Sequence, residues 1–96
     1  MTIEQLLHEK RDDIERIATH HGAHNIRIFG SVARGEAGPE SDIDFLVNVG
    51  SDTSSWFPAG FILDIEEILG RRVEVVTERA LDSHLREYVL REAMKL

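Results

Sequence analysis

Apolar residues recur over the first twenty positions at the spacing of a helix. Ile3, Leu6, Leu7, Ile14, Ile17 and Ala18 fall on one face. Thr2 with Gln5 three residues on is a capping-box pattern, and Gly22 offers a stop. The spacing predicts one helix over about residues 3–20. Asn25-Ile26-Arg27-Ile28-Phe29 then alternates polar and apolar, the period of a strand. Ser31 to Gly35 reads as a short helical turn. Glu36 to Glu40, with Gly38-Pro39, reads as a loop. Ile43 to Val49 is nearly all apolar, which suits a central strand covered on both faces. Gly50 to Ser55 is a polar loop, and Pro58 suits the first turn of the next helix. Phe61, Ile62, Ile65, Ile68 and Leu69 give that helix its buried face, and Gly70 ends it. Arg72 to Val76 is a third strand. Thr77 caps a short turn, and a last helix runs over about Ser83 to Met94. This order predicts an α/β fold built on a small sheet. No repeat, low-complexity tract or linker divides the chain, so one domain over residues 1–96 is expected.

Bulk composition narrows the class. A chain of 96 residues buries a modest core and gains from a partner or from oligomerisation, as a homo- or hetero-oligomer. There is no cysteine, which removes disulfides, thiolate metal sites and thiol catalysis and agrees with a cytoplasmic setting. No apolar run reaches the roughly 18–20 residues that span a bilayer, and the N-terminus lacks the pattern of a secretory signal. The formal charge of −7, from 18 acidic and 11 basic side chains, disfavours DNA or RNA as a partner. An acidic surface instead favours a basic protein partner through steering.

Chemistry concentrates between residues 30 and 47. Gly30-Ser31-Val32-Ala33-Arg34-Gly35 follows the first strand, and Ser41-Asp42-Ile43-Asp44 opens the second. Alternate strand residues point the same way, so Asp42 and Asp44 project from one face. Two unpaired carboxylates that close repel, and they want a cation or a shared proton. The Gly30-Ser31 turn offers free backbone N–H groups and a hydroxyl, which suit a phosphate. A phosphate cradle beside paired carboxylates is the logic of metal-assisted nucleotidyl transfer.

Gly30-Ser31 with Asp42-Ile43-Asp44 resembles the nucleotidyltransferase superfamily related to DNA polymerase β. The fuller segment GSVARGEAGPESDIDFLV looks like the minimal nucleotidyltransferases, many of them antitoxins paired with HEPN-type helical ribonuclease toxins. The segment Gly70-Arg71-Arg72-Val73-Glu74-Val75-Val76-Thr77 looks like that family's third-carboxylate strand, with Glu74 where many members carry Asp. The resemblance covers almost the whole chain. It implies a mixed sheet flanked by helices. It also implies a two-metal Mg²⁺ site held by Asp42, Asp44 and Glu74, with ATP as donor and its triphosphate on Gly30 and Ser31.

Other residues carry less. Arg34 suits triphosphate oxygens or a surface ion pair with Glu36 or Glu40. Ser41 reads as structural. His20, His21 and His24 sit at a helix end, where histidine meets the dipole favourably, and they lack companions spaced for zinc. Trp56-Phe57 reads as core packing or as part of a partner surface. The Arg86-Glu87 and Arg91-Glu92 pairs read as a solvated helix face.

The expected activity is transfer of AMP from ATP to a hydroxyl. No second domain is in view to hold an acceptor, so a partner protein should bring it. The resemblance implies a tyrosine of a HEPN-type toxin. Two alternatives remain: a binding module that masks the toxin without catalysis, and a small-molecule nucleotidyltransferase.

Overall fold

The apolar run Ile43–Val49 (β2) lies inside a four-stranded sheet. In this computed structural model, which describes residues 1–96, β2 pairs antiparallel with Ala23–Phe29 (β1) and parallel with Val73–Thr77 (β3). A two-residue strand, Met94–Lys95 (β4), closes the other edge of β1 antiparallel. The order β3-β2-β1-β4 makes the sheet mixed. A parallel neighbour needs a crossover, and helix Ala59–Leu69 (α4) supplies it between β2 and β3. Gly70, in the left-handed conformation at φ 65°, ends α4 and turns the chain towards β3.

One face of the sheet carries the main core. Ile28, Ile43, Phe45, Val47 and Val73 pack there with Leu7 of helix Ile3–Glu9 (α1), Ile14 and Ala18 of helix Arg11–His20 (α2), and Phe61 and Ile65 of α4. Phe45, Phe61, Ile14 and Ile43 are fully buried, and truncating any such side chain costs about 2–5 kcal/mol. Strand alternation turns Asp44, Leu46 and Asn48 to the opposite face. Leu46 is fully buried there although it lies outside the main core. Val89 of helix Ser83–Glu92 (α5) is the other buried apolar residue outside that core.

Three boundaries differ from the periodicity. The predicted helix over 3–20 is two helices that meet at Lys10 (φ −95°, ψ 6°). The polar run His8–Asp13 supplies no core residue, so nothing apolar anchors the middle of the segment. The last helix stops at Glu92, not Met94, because Ala93 turns extended and Met94–Lys95 hydrogen-bond to the open edge of β1. Strand β1 begins at Ala23, not Asn25. The register shifts between His24 and Arg27, and Asn25 takes a left-handed φ of 54° that asparagine tolerates. Pro58 precedes α4 as its N-cap, and Thr77 ends β3 without a side-chain capping bond. A single 3₁₀ turn, Glu78–Ala80, follows.

Candidate active site

Asp44 and Glu74 are register partners on the parallel strands β2 and β3. Their carboxyl groups lie close enough for a protonated Asp44 to hydrogen-bond Glu74, and Asp42 lies near enough to add repulsion. The Asp44 carboxyl is pushed up to about 6. Desolvation is the largest cause, then the hydrogen bond and charge of Glu74, then the charge of Asp42, with Arg34 opposing. Asp42 stands just before β2, and its Oδ1 faces Arg72 Nε at 4.0 Å. The two strands thus bring all three sequence-predicted carboxylates to one end of the sheet.

The Gly30-Ser31 turn lies directly beside them. Phe29, the last residue of β1, pairs with Asp44, and helix Gly30–Ala33 (α3) starts at the next residue. Gly30 holds φ 75°, and a Cβ there would collide with Asp44 Oδ2 and sit 3.1 Å from Asp44 Cγ. Glycine is therefore required by both conformation and space. Arg34, at the end of α3, donates from Nε to Glu36 Oε1 at 3.0 Å and from Nη1 to Glu92 Oε1 at 2.7 Å. The Glu40 pairing does not form.

Glu92 is the site neighbour that sequence reasoning missed. It read as part of a solvated face, yet its side chain is 12% exposed, and its Oε2 accepts the Gly30 N–H at 2.8 Å. Hydrogen bonds from Arg34 and the Gly30 amide pull its carboxyl below the usual range, outweighing its desolvation. Its companion Glu87 does form the expected solvated pair, with Arg91 at 2.8 Å. No local signal separates the two glutamates. Only the approach of α5 to α3 does.

The remaining candidates lie elsewhere or serve the frame. Ser41 Oγ accepts the Gly38 N–H at 2.8 Å, and Arg71 donates to the Ser41 carbonyl at 2.7 Å, which fixes the loop ahead of Asp42. Glu66 accepts the Val73 N–H at 3.0 Å and so pins the start of β3. His21 is buried, with Nδ1 2.6 Å from Ser54 Oγ and Nε2 2.7 Å from Asp64 Oδ2. It joins α2 to the loop after β2 and to α4, at the end of β2 away from Asp44. Phe57 packs against the core, while Trp56 is 77% exposed.

The paired carboxylates of Asp44 and Glu74 are hard oxygen donors of the kind a divalent cation takes while keeping part of its shell for water and phosphate, as Mg²⁺ does. The raised proton affinity of Asp44 beside Glu74 and Asp42 marks negative charge that a cation would balance. In this structure no three His, Asp or Glu side chains converge on one point.

A crossover α/β sheet with clustered carboxylates beside a Gly-Ser turn defines the class of nucleotidyl-transferring domains. The chain belongs to the nucleotidyltransferase domain family, whose model matches residues 7–96. It is of the minimal type. A solved structure described as a provisional minimal nucleotidyltransferase is similar at 44% identity and a TM-score of 0.87, covering 100% of this chain and 97% of that one. The protein adenylyltransferase MntA of Thermococcus cleftensis is 35% identical over 91 residues, 86% of this chain and 92% of that protein. A Methanocaldococcus jannaschii protein provisionally named a protein adenylyltransferase is 35% identical over 88 residues, 92% of this chain and 95% of its own length. The fold also matches a crystal structure of a toxin–antitoxin with AMP-PNP, at 20% identity and a TM-score of 0.73, over 88% of this chain and 69% of that one.

Proposed function

We propose that this chain is a protein adenylyltransferase that moves AMP from ATP to a hydroxyl of a partner toxin and so acts as its antitoxin. The observation that carries the reading is the Asp44–Glu74 pair on adjacent strands, set against the Gly30-Ser31 turn. The names of the Thermococcus and Methanocaldococcus relatives support the reaction type. The toxin–antitoxin structures, one with AMP-PNP and one of an MntA–HpeT pair, support the partner class and the donor. The acceptor is a tyrosine hydroxyl on a HEPN-type toxin. The exposed Trp56 gives the partner an aromatic anchor point.

Asp42, Asp44 and Glu74 would hold Mg²⁺, which supplies charge neutralisation of the triphosphate and a more acidic acceptor hydroxyl. Gly30, Ser31 and Arg34 receive the β- and γ-phosphates through backbone N–H, hydroxyl and guanidinium donors. The acceptor oxygen attacks the α-phosphorus, the bond to the β-phosphate oxygen breaks, and pyrophosphate leaves. Glu74, on a different strand from the Asp pair, takes the hydroxyl proton. Residues 1–96 act as one domain.

The test is co-expression with a HEPN-type toxin that forms a complex with this chain, followed by intact-mass analysis of the toxin. Adenylate increments with the wild type, absent with Asp42→Asn/Asp44→Asn, support the reading. A toxin neutralised in complex but never modified would show that masking, not transfer, is the function.

A further inference from the structure

Glu92 contacts two of the donors that the proposed function assigns to the triphosphate. Its Oε2 takes the Gly30 N–H at 2.8 Å and its Oε1 takes Arg34 Nη1 at 2.7 Å. It reaches them from the last residue of α5, 62 positions away from Gly30. The carboxylate is nearly enclosed, at 12% exposure, whereas Arg34 keeps 43% of its side-chain surface. An N–H at this distance is aimed at one acceptor, so a phosphate oxygen and Glu92 Oε2 cannot both take it at full strength. A carboxylate left in place would also face a triphosphate across an already acidic site formed by Asp42, Asp44 and Glu74.

We propose that Glu92 is a positioning residue that stands in for phosphate. It holds the Gly30 amide and the Arg34 guanidinium in their receiving geometry and exchanges them for the triphosphate when nucleotide binds. This rests on the phosphate-binding role proposed for the Gly30 turn and Arg34. Two features of the fold suit the exchange. Glu92 is the final helical residue, and Ala93 after it is already extended, so its side chain can withdraw without unwinding the body of α5. The chain beyond is independently fixed to β1, through Met94–Lys95 pairing and the Leu96 N–H to the Ile26 carbonyl at 3.3 Å. Glu92 thus sets the affinity for triphosphate from an element that carries none of the predicted site residues.

The test compares binding of Mg-ATP and of inorganic tripolyphosphate by calorimetry for wild type, Glu92→Gln, Glu87→Gln and Arg34→Ala. Glutamine keeps the size and an acceptor for Gly30 but removes the competing charge. Glu92→Gln should bind both ligands about tenfold more tightly, since a charge-assisted hydrogen bond is exchanged for a neutral one. Glu87→Gln, on the outer face of the same helix, should match the wild type. In ¹⁵N spectra of the wild type, the Gly30 amide and Arg34 Nη–H signals should shift on tripolyphosphate addition. Equal or weaker binding by Glu92→Gln overturns the proposal, as do Gly30 and Arg34 signals that stay still while ligand binds. If the wild type binds and Arg34→Ala weakens binding while Glu92→Gln is unchanged, the phosphate role stands and the exchange fails. If no variant binds either ligand, both fail together.

Discussion

Asp44 and Glu74 face each other in direct register across two parallel strands, and the closeness of their carboxyl groups favours a proton on Asp44. Two carboxylates this close repel when both are ionised, so the pair favours a proton or a cation. Its protonation lies within the experimental pH range, because Asp44 is pushed from 3.8 to about 6.

The sign of the resulting pH dependence is fixed. A carboxyl whose pKa is raised by folding binds its proton more tightly in the native state. Its contribution to stability is full below its unfolded pKa of 3.8 and is lost as pH rises through about 6. Without divalent cation, Asp44→Asn should therefore gain thermal stability over the wild type as pH rises across that window. Millimolar Mg²⁺ should narrow the gap at neutral pH by stabilising the wild type alone. Paired melting curves with and without chelator give the readout. A difference in Tm that is flat with pH would mean Asp44 titrates normally.

Gly30 offers a test of packing at the turn. An alanine there takes a left-handed φ, at a cost of about 1–2 kcal/mol, and presses its Cβ against Asp44. Gly30→Ala should lower unfolding free energy in urea by at least about that amount and weaken triphosphate binding. Part of the penalty is pairwise, so it should shrink when Asp44 is also shortened to Ala. Strict additivity in the double-mutant cycle would show that the methyl group and the carboxylate do not meet.

The parts of this molecule legible in its sequence are those set by local chemistry. Strand β2 runs from Ile43 to Val49 as its apolar run indicates, and Gly70 ends α4 where expected. Gly30 and the three carboxylates come together because register and alternation bring them to one end of the sheet. What stayed hidden depends on long-range contact. Lys10 breaks the helix inside the polar run His8–Asp13, although the apolar residues on either side keep the spacing of a single helix. Met94–Lys95 form a strand only because β1 has an open edge, and Glu92 differs from Glu87 only because α5 lies against α3. His21 is likewise invisible as a buried side chain, since both of its partners come from more than thirty residues away.

His21 separates the frame from the chemistry. Its imidazole is 7% exposed and bonds both Ser54 and Asp64, tying α2 to the loop after β2 and to α4. His21→Ala leaves a cavity and removes two hydrogen bonds to partly exposed partners, at a cost of about 2–4 kcal/mol. Asp44 lies at the opposite end of β2, so the folded fraction should bind Mg-ATP as the wild type does. Chemical denaturation and calorimetry at low temperature, where the variant is folded, check both halves. A large loss of nucleotide affinity in a folded His21→Ala would tie this cluster to the site.

Glu74 should matter more to transfer than to association. It stands on β3, one strand away from Asp44, where under the proposed function its carboxylate would balance a cation and take the acceptor proton. Glu74→Gln preserves volume and hydrogen bonding, and it also removes the like charge that helps raise Asp44, so the fold should be at least as stable. Transfer of adenylate should fall by roughly 10²–10⁴-fold, the range expected for losing a general base. Binding of the proposed toxin partner should persist, because the substitution changes one charge at the carboxylate cluster and leaves the rest of the surface intact. Single-turnover transfer from labelled ATP, run beside a pull-down of the same toxin, gives both quantities from one preparation. Equal loss in the two would make Glu74 part of the contact surface, and no loss in either would leave Asp42 and Asp44 as the whole acidic machinery.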